Sequence, residues 1–239
     1  IMPLPKIATP TYELVLPSTG KKIKYRPFLV KEEKILILAL ESEDQKQITN
    51  AIKSTLKSCI QTRIKVEDLP TFDIEYIFLN IRGKSVGESL EVLVTCPDDG
   101  ETQVESTIYI DEIQVQKDDK HTPDIKLDHS LTLRMKYPSL TQFVENNFNP
   151  SADQTLEASM DIIASCIDVV YSEDESWAAA DCTKKELSEW LETLNTSQFK
   201  EIETFFETMP KLSHTLKVVN PKTKVESDVT LEGLTSFFG

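Results

Sequence analysis

Apolar residues recur at two spacings along this chain, every three to four positions in some stretches and every second position in others. The two periods mark amphipathic helices and half-buried strands. The best-ordered stretch is 66–113. Leu69-Pro70 stands outside a helix for which Thr71 is the expected N-cap, and Ile74, Ile77, Phe78 and Ile81 fall on one face. Gly83 and Gly87 are expected to end it. Leu90, Val92 and Val94 then alternate with polar residues up to the turn Pro97-Asp98-Asp99-Gly100. Val104 to Ile110 alternates after it, which predicts a β-hairpin.

A second helix and hairpin follow the same plan near the C-terminus. Leu194-Asn195-Thr196 parallels Leu69-Pro70-Thr71, and Phe199, Ile202 and Phe206 keep step with Ile74, Ile77 and Ile81. Pro210 ends the helix. Val218-Val219-Asn220-Pro221 matches Val94-Thr95-Cys96-Pro97, and Val225-Glu226-Ser227 repeats Val104-Glu105-Ser106. Upstream, Ser165-Cys166-Ile167 echoes Ser58-Cys59-Ile60. Repeats of this length decide architecture. They predict an α+β fold made of an internally duplicated module of β-hairpin, helices and β-hairpin.

The remaining elements fit between these. Residues 1–10 hold three prolines and read as an extended arm, with Met2 as the natural start after Ile1. Tyr12 to Leu16 is a strand, 17–20 a turn, and Lys21 to Tyr25 the return strand. Helices are expected over 31–40 and 45–63, the second with Ile48, Ile52, Leu56, Cys59 and Ile60 inward. A polar link, 116–124, separates a first half, 1–115, from a second, 125–239. The second half opens with a strand pair over 125–137 and a short helix over 140–148. A long helix over 155–171 follows, with Leu156, Met160, Ile163, Ile167 and Val170 inward. Only this half carries a helical insertion, near 171–191, within which a capping box, Thr183 to Glu186, starts a helix.

Composition narrows the function classes. The 239 residues suffice for a sizeable core, and the longest apolar run, Ile35 to Leu40, is far too short to span a bilayer. The N-terminus lacks a charged-then-apolar leader pattern. Four cysteines without a C-x-x-C pair read as free thiols of a reducing compartment. The net charge of -14 is unevenly spread: residues 1–65 hold twelve Lys/Arg against six Asp/Glu, while 151–210 hold three against fourteen. Such polarity suits docking to a charged protein surface and not a broad nucleic-acid footprint. On the first hairpin Lys22, Lys24 and Arg26 share one face in strand alternation, and they are the candidate contact stripe, with Ile23 and Tyr25 turned to the core. Trp177 and Trp190, the only tryptophans, are further contact candidates within the insertion. They could equally anchor the inserted helix.

Site chemistry is not legible. Gly83-Lys84-Ser85 lacks the earlier glycine of a phosphate loop, and His121, His129 and His214 have no metal-ligand spacing. Cys96 to Glu101 is acidic but lacks the ligand alternation of a calcium loop. No catalytic, cofactor or metal residue is therefore assigned.

Three stretches carry a likeness: ELVLPSTGKKIKYRPFLVKEEK, DLPTFDIEYIFLNIRGKSVGE and NPKTKVESDVTLEGLTSFF. Together they resemble the baseplate hub subunit and hub-assembly family of T-even-like contractile-tailed phages, in its cyanophage form. The likeness covers nearly the whole chain except 171–191 and is run-on similarity without a catalytic signature. It implies a non-enzymatic role in the hub of the tail baseplate, with other hub or tail proteins as partners and neither nucleic acid nor membrane. The place would be the virion baseplate, or the host cytoplasm during assembly. The alternative from the residues alone is a hydrolase or metal-dependent enzyme with an unmarked site.

Overall fold

The structure, a computed structural model, describes residues 7–42, 44–141, 143, 144, 156–233 and 236. Residues 1–6 of the expected arm, the side chain of Leu156 and the end of the helix expected over 140–148 lie outside these. The chain divides into two compact units: 1–115 with 211–239, and 116–210. The C-terminal hairpin thus clusters with the N-terminal residues, whereas the sequence pattern places it in a half running from 125 to 239. Mixed helices and small antiparallel sheets make an α+β fold.

The first unit contains strands β1 (Tyr12–Val15) and β2 (Lys22–Tyr25), helices α1 (Val30–Glu41), α2 (Gln45–Cys59) and α3 (Thr71–Val86), and strands β3 (Ser89–Thr95), β4 (Gln103–Tyr109) and β5 (Gln114–Gln116). After the second unit, β10 (Lys211–Val219) and β11 (Glu226–Glu232) complete it, in a sheet ordered β11-β10-β5. α3 is its central helix. Phe72, Ile74, Ile77, Leu79 and Ile81 are all buried, so the apolar surface runs round the helix instead of along one stripe. Two end details differ from expectation. Pro70 is the N-cap, and Thr71 is the first helical residue and buried; proline already supplies the extended backbone that a cap needs. Gly83 does not end the helix. It lies inside it, where a Cβ would come within 2.5 Å of Ile110 Cδ1, so the missing side chain lets the 110–112 turn approach. Gly87 is the C-cap.

Three hairpins of this unit share one turn. In Leu16-Pro17-Ser18-Thr19-Gly20, Cys96-Pro97-Asp98-Asp99-Gly100 and Asn220-Pro221-Lys222-Thr223-Lys224 the first residue is buried and proline follows. The fifth residue takes positive φ (70°, 67° and 63°) and donates its N–H to the first carbonyl at 2.8–2.9 Å. Glycine meets that left-handed requirement without strain; Lys224 does not.

The second unit contains β6 (Asp124–Lys126), β7 (Thr132–Met135), α4 (Leu156–Ser165), β8 (Ile167–Tyr171), β9 (Ser176–Ala178), α5 (Lys184–Leu191) and α6 (Thr196–Thr208). Its sheet order is β6-β7-β8-β9. The long helix expected over 155–171 therefore stops at Ser165. Ile167, Val169 and Val170 are β-branched, and pairing with β7 (Leu133↔Val170, Met135↔Ile167) makes them a strand. Ile125, Leu133, Ile167, Ile202 and Phe205 belong to the core, and Trp190 packs against it. Thr183 and Glu186 form the expected capping box. Asn195, not Thr196, caps α6 and forms a second such box with Gln198.

One wiring pattern occurs in both units. The Arg26 N–H donates to the Cys59 carbonyl at 2.9 Å and Tyr25 bridges Ile60. The Lys136 N–H donates to the Cys166 carbonyl at 2.7 Å and Met135 pairs with Ile167. Each Ser-Cys-Ile thus ends a helix and turns back onto the second strand of a hairpin.

Candidate interaction surfaces

α1 carries charged residues in its first turns and then six apolar residues in succession, Ile35 to Leu40, which spread round the helix instead of along one stripe. Among the described side chains of α1, Glu32 and Ala39 are buried and Leu36 is half-buried. Val30 (80% exposed), Ile35 (45%), Ile37 (50%) and Leu38 (55%) face outward. Exposed apolar residues gathered on one element make it a candidate contact site. The signal in the sequence is the run Ile35 to Leu40, six consecutive apolar residues that one buried side of a helix cannot hold.

α1 is fixed by an inward ion pair. Arg26 Nη2 donates to Glu32 Oε1 at 2.8 Å, with side chains 13% and 3% exposed, and the Leu29 N–H donates to Glu32 Oε2 at 2.9 Å. Burial pushes the Glu32 carboxyl up, but the hydrogen bonds from Arg26 and Leu29 outweigh it and hold the group below its ordinary range. The bond to Glu32 raises Arg26. Arg26 therefore does not join the stripe expected of it: β2 ends at Tyr25, and the following turn sends the guanidinium inward. Lys22 and Lys24 do share an exposed face, 3.6 and 3.9 Å from Glu13, with Ile23 and Tyr25 buried behind them. The structure separates the two tryptophans as well. Trp190 is half-buried against the core of its unit, whereas Trp177, on β9, is 47% exposed.

The acidic turn at 96–101 is occupied by protein donors. The buried Asn220 side-chain amide donates to Asp98 (3.0 and 3.1 Å) and Asp99 (2.9 Å), and the Thr223 hydroxyl also donates to Asp98. Asp99 accepts further bonds from the Glu101 and Thr102 N–H groups and the Thr102 hydroxyl. Hydrogen bonds from Thr223 and Asn220 lower Asp98, and those from Thr102 and Asn220 lower Asp99. The carboxylates thereby clasp the turns of β3–β4 and β10–β11 together. Among the described residues no group of three or more His, Cys, Asp and Glu side chains could hold a metal ion. The buried thiols are inert: burial pushes Cys59 and Cys166 up to about 11.

Other outward features lie on sheets. β11 ends its sheet with none of its residues buried, and Leu93, Tyr109, Val219 and Val225 are exposed. An open groove in the second unit is lined by Ser159, Ile162, Ile163, Glu203, Phe206 and Glu207. Among the described residues no helix is long and apolar enough to cross a membrane.

The candidate contact features are thus the outward residues of α1, the basic β1–β2 hairpin and β11 at the end of its sheet. Comparisons with curated proteins and with solved structures return no match. The T4 bacteriophage base plate protein family matches over residues 9–239, and the chain belongs to that family.

Proposed function

We propose that this chain is a non-enzymatic structural or assembly component of the baseplate hub, acting through contacts with other hub or tail proteins in the virion or during assembly in the host cytoplasm. Family membership carries the coarser statement, a structural role in the phage tail. The hub assignment draws on the likeness of DLPTFDIEYIFLNIRGKSVGE, which folds as the buried central helix α3 and the turns at its ends. Its contacts would run along the β11 edge, by strand addition, and at the exposed Lys22, Lys24 and Trp177.

The observation that carries this reading is the open β11 edge beside the exposed apolar residues Val219 and Val225. We further propose that the two halves of the sequence, 1–115 and 125–239, descend from one duplicated module. The paired Ser-Cys-Ile wiring supports this, although α6 and the β10–β11 hairpin lie in different units. Co-expression with neighbouring tail proteins, followed by sizing, tests the functional reading. A defined complex with a hub protein is expected. A chain that elutes alone in the presence of every tail protein would overturn it.

A further inference from the structure

We infer that α1 is a self-pairing helix, through which two copies of the chain dock antiparallel. Val30, Lys34, Ile37, Leu38 and Glu41 recur at i, i+4, i+7, i+8 and i+11, so they form one side of the helix. All five are exposed. The opposite side, Glu32 and Ala39, is buried in the chain's own fold. Among the described residues neither Lys34 nor Glu41 takes part in a salt bridge, while Lys31 is already beside Glu32 at 3.4 Å.

The order of charges on this side selects the occupant. Lys34 and Glu41 are equidistant from the point between Ile37 and Leu38. A two-fold axis at that point brings Ile37 against its copy on one flank and Leu38 against its copy on the other. It also places each Lys34 opposite the second copy's Glu41. A parallel pairing sets Lys34 against Lys34 and Glu41 against Glu41, which repel. Antiparallel helices also oppose their dipoles. A partner of one net charge would satisfy only one end of this side; a second copy satisfies both. The contact spans about two helical turns, less than a standard interface, so the dimer is weak and concentration-dependent.

The test is sedimentation of the full chain over a concentration series at low salt, with circular dichroism to confirm the fold of each variant. The expected result is a monomer–dimer equilibrium. Lys34→Glu and Glu41→Lys should each weaken it by about tenfold or more, because each sets like charges face to face. The double variant K34E/E41K should restore it, since the swap is reciprocal only between identical copies. A chain that stays monomeric throughout overturns the inference, as does a dimer that the single swaps leave unchanged or the double swap does not rescue. If the chain is monomeric and Leu38→Asp abolishes binding of a tail protein, the side belongs to that protein and self-pairing is wrong. The pairing does not depend on the hub assignment: failure to bind tail proteins leaves the dimer standing, and the reverse also holds.

Discussion

Arg26 and Lys24 stand two residues apart and call for opposite experiments. Arg26 is closed in with Glu32, and removing it leaves the buried carboxylate only the exposed Lys31 ammonium at 3.4 Å and the Leu29 N–H. Arg26→Ala should cost about 1–3 kcal/mol in denaturant melts. Replacing Lys22 and Lys24 by Ser removes only exposed pairs with Glu13, so stability should change by no more than about 1 kcal/mol per pair. That double variant should instead slow association with a hub partner, and the loss should shrink as salt rises. An unchanged association rate would remove the basic hairpin from the docking surface. Gly83 poses a packing question. Gly83→Ala pushes a methyl into Ile110 Cδ1 and should destabilise by about 1–3 kcal/mol. Ile110→Val deletes the offending carbon, so the pair should lose less than the two single changes added together. Strict additivity would mean that the approach of Ile110 is not what keeps residue 83 a glycine.

At the level of elements, the clasp between two hairpin turns rests on Asn220. Asn220→Ala leaves Asp98 and Asp99 without their shared donor and exposes the N–H groups of Lys222 and Thr223, which the side-chain oxygen accepts. The expected cost is about 1–3 kcal/mol, with faster hydrogen exchange at those two amides; unchanged exchange would show that the turn holds itself. The clasp also has a pH sign. Both carboxyls are lowered in the folded chain, so their contribution is present above the ordinary carboxylate range and fades as pH falls through the folded values. None of this was legible in the sequence, because Asn220 and Asp98 are far apart in the chain and no local pattern joins them. The hairpins were legible, since alternation and a proline turn are local signals. So were the burial of Ile77 and Ile202 and the capping box at Thr183. Residues 167–171 were not: Ile163, Ile167 and Val170 sit at helical spacing, and only pairing with β7 decides for the strand. The outward side of α1 was not legible for a related reason. Composition marks a helix as apolar, but what covers it is a property of neighbours.

For the molecule as a whole, charge and fluorescence both separate the two units. Residues 116–210 hold eight Lys/Arg against nineteen Asp/Glu, so most of the net charge lies in the second unit. That unit also holds both tryptophans, which makes tryptophan emission a reporter of its unfolding alone. His121, one of its two histidines, is partly enclosed by the unit's own side chains. His121 Nδ1 lies 2.9 Å from the Thr208 hydroxyl and Nε2 lies 2.9 Å from the Tyr137 hydroxyl, and the ring packs against Phe205. Burial lowers its pKa, with Asp118 acting weakly in the other direction. The unfolded chain, whose histidine titrates near its ordinary value, then binds more protons than the folded chain in the interval between the two values. Stability of the second unit should therefore fall as pH drops from about 7.5 to about 5, a range that lies above the ordinary carboxylate pKa values. Tryptophan-detected melts should show this fall. His121→Gln keeps a donor and an acceptor at the site but cannot titrate, so its melts should be less stable throughout and markedly flatter across the same range. If the variant retains the slope of the parent, the pH response of the second unit arises elsewhere and His121 is only a packing residue.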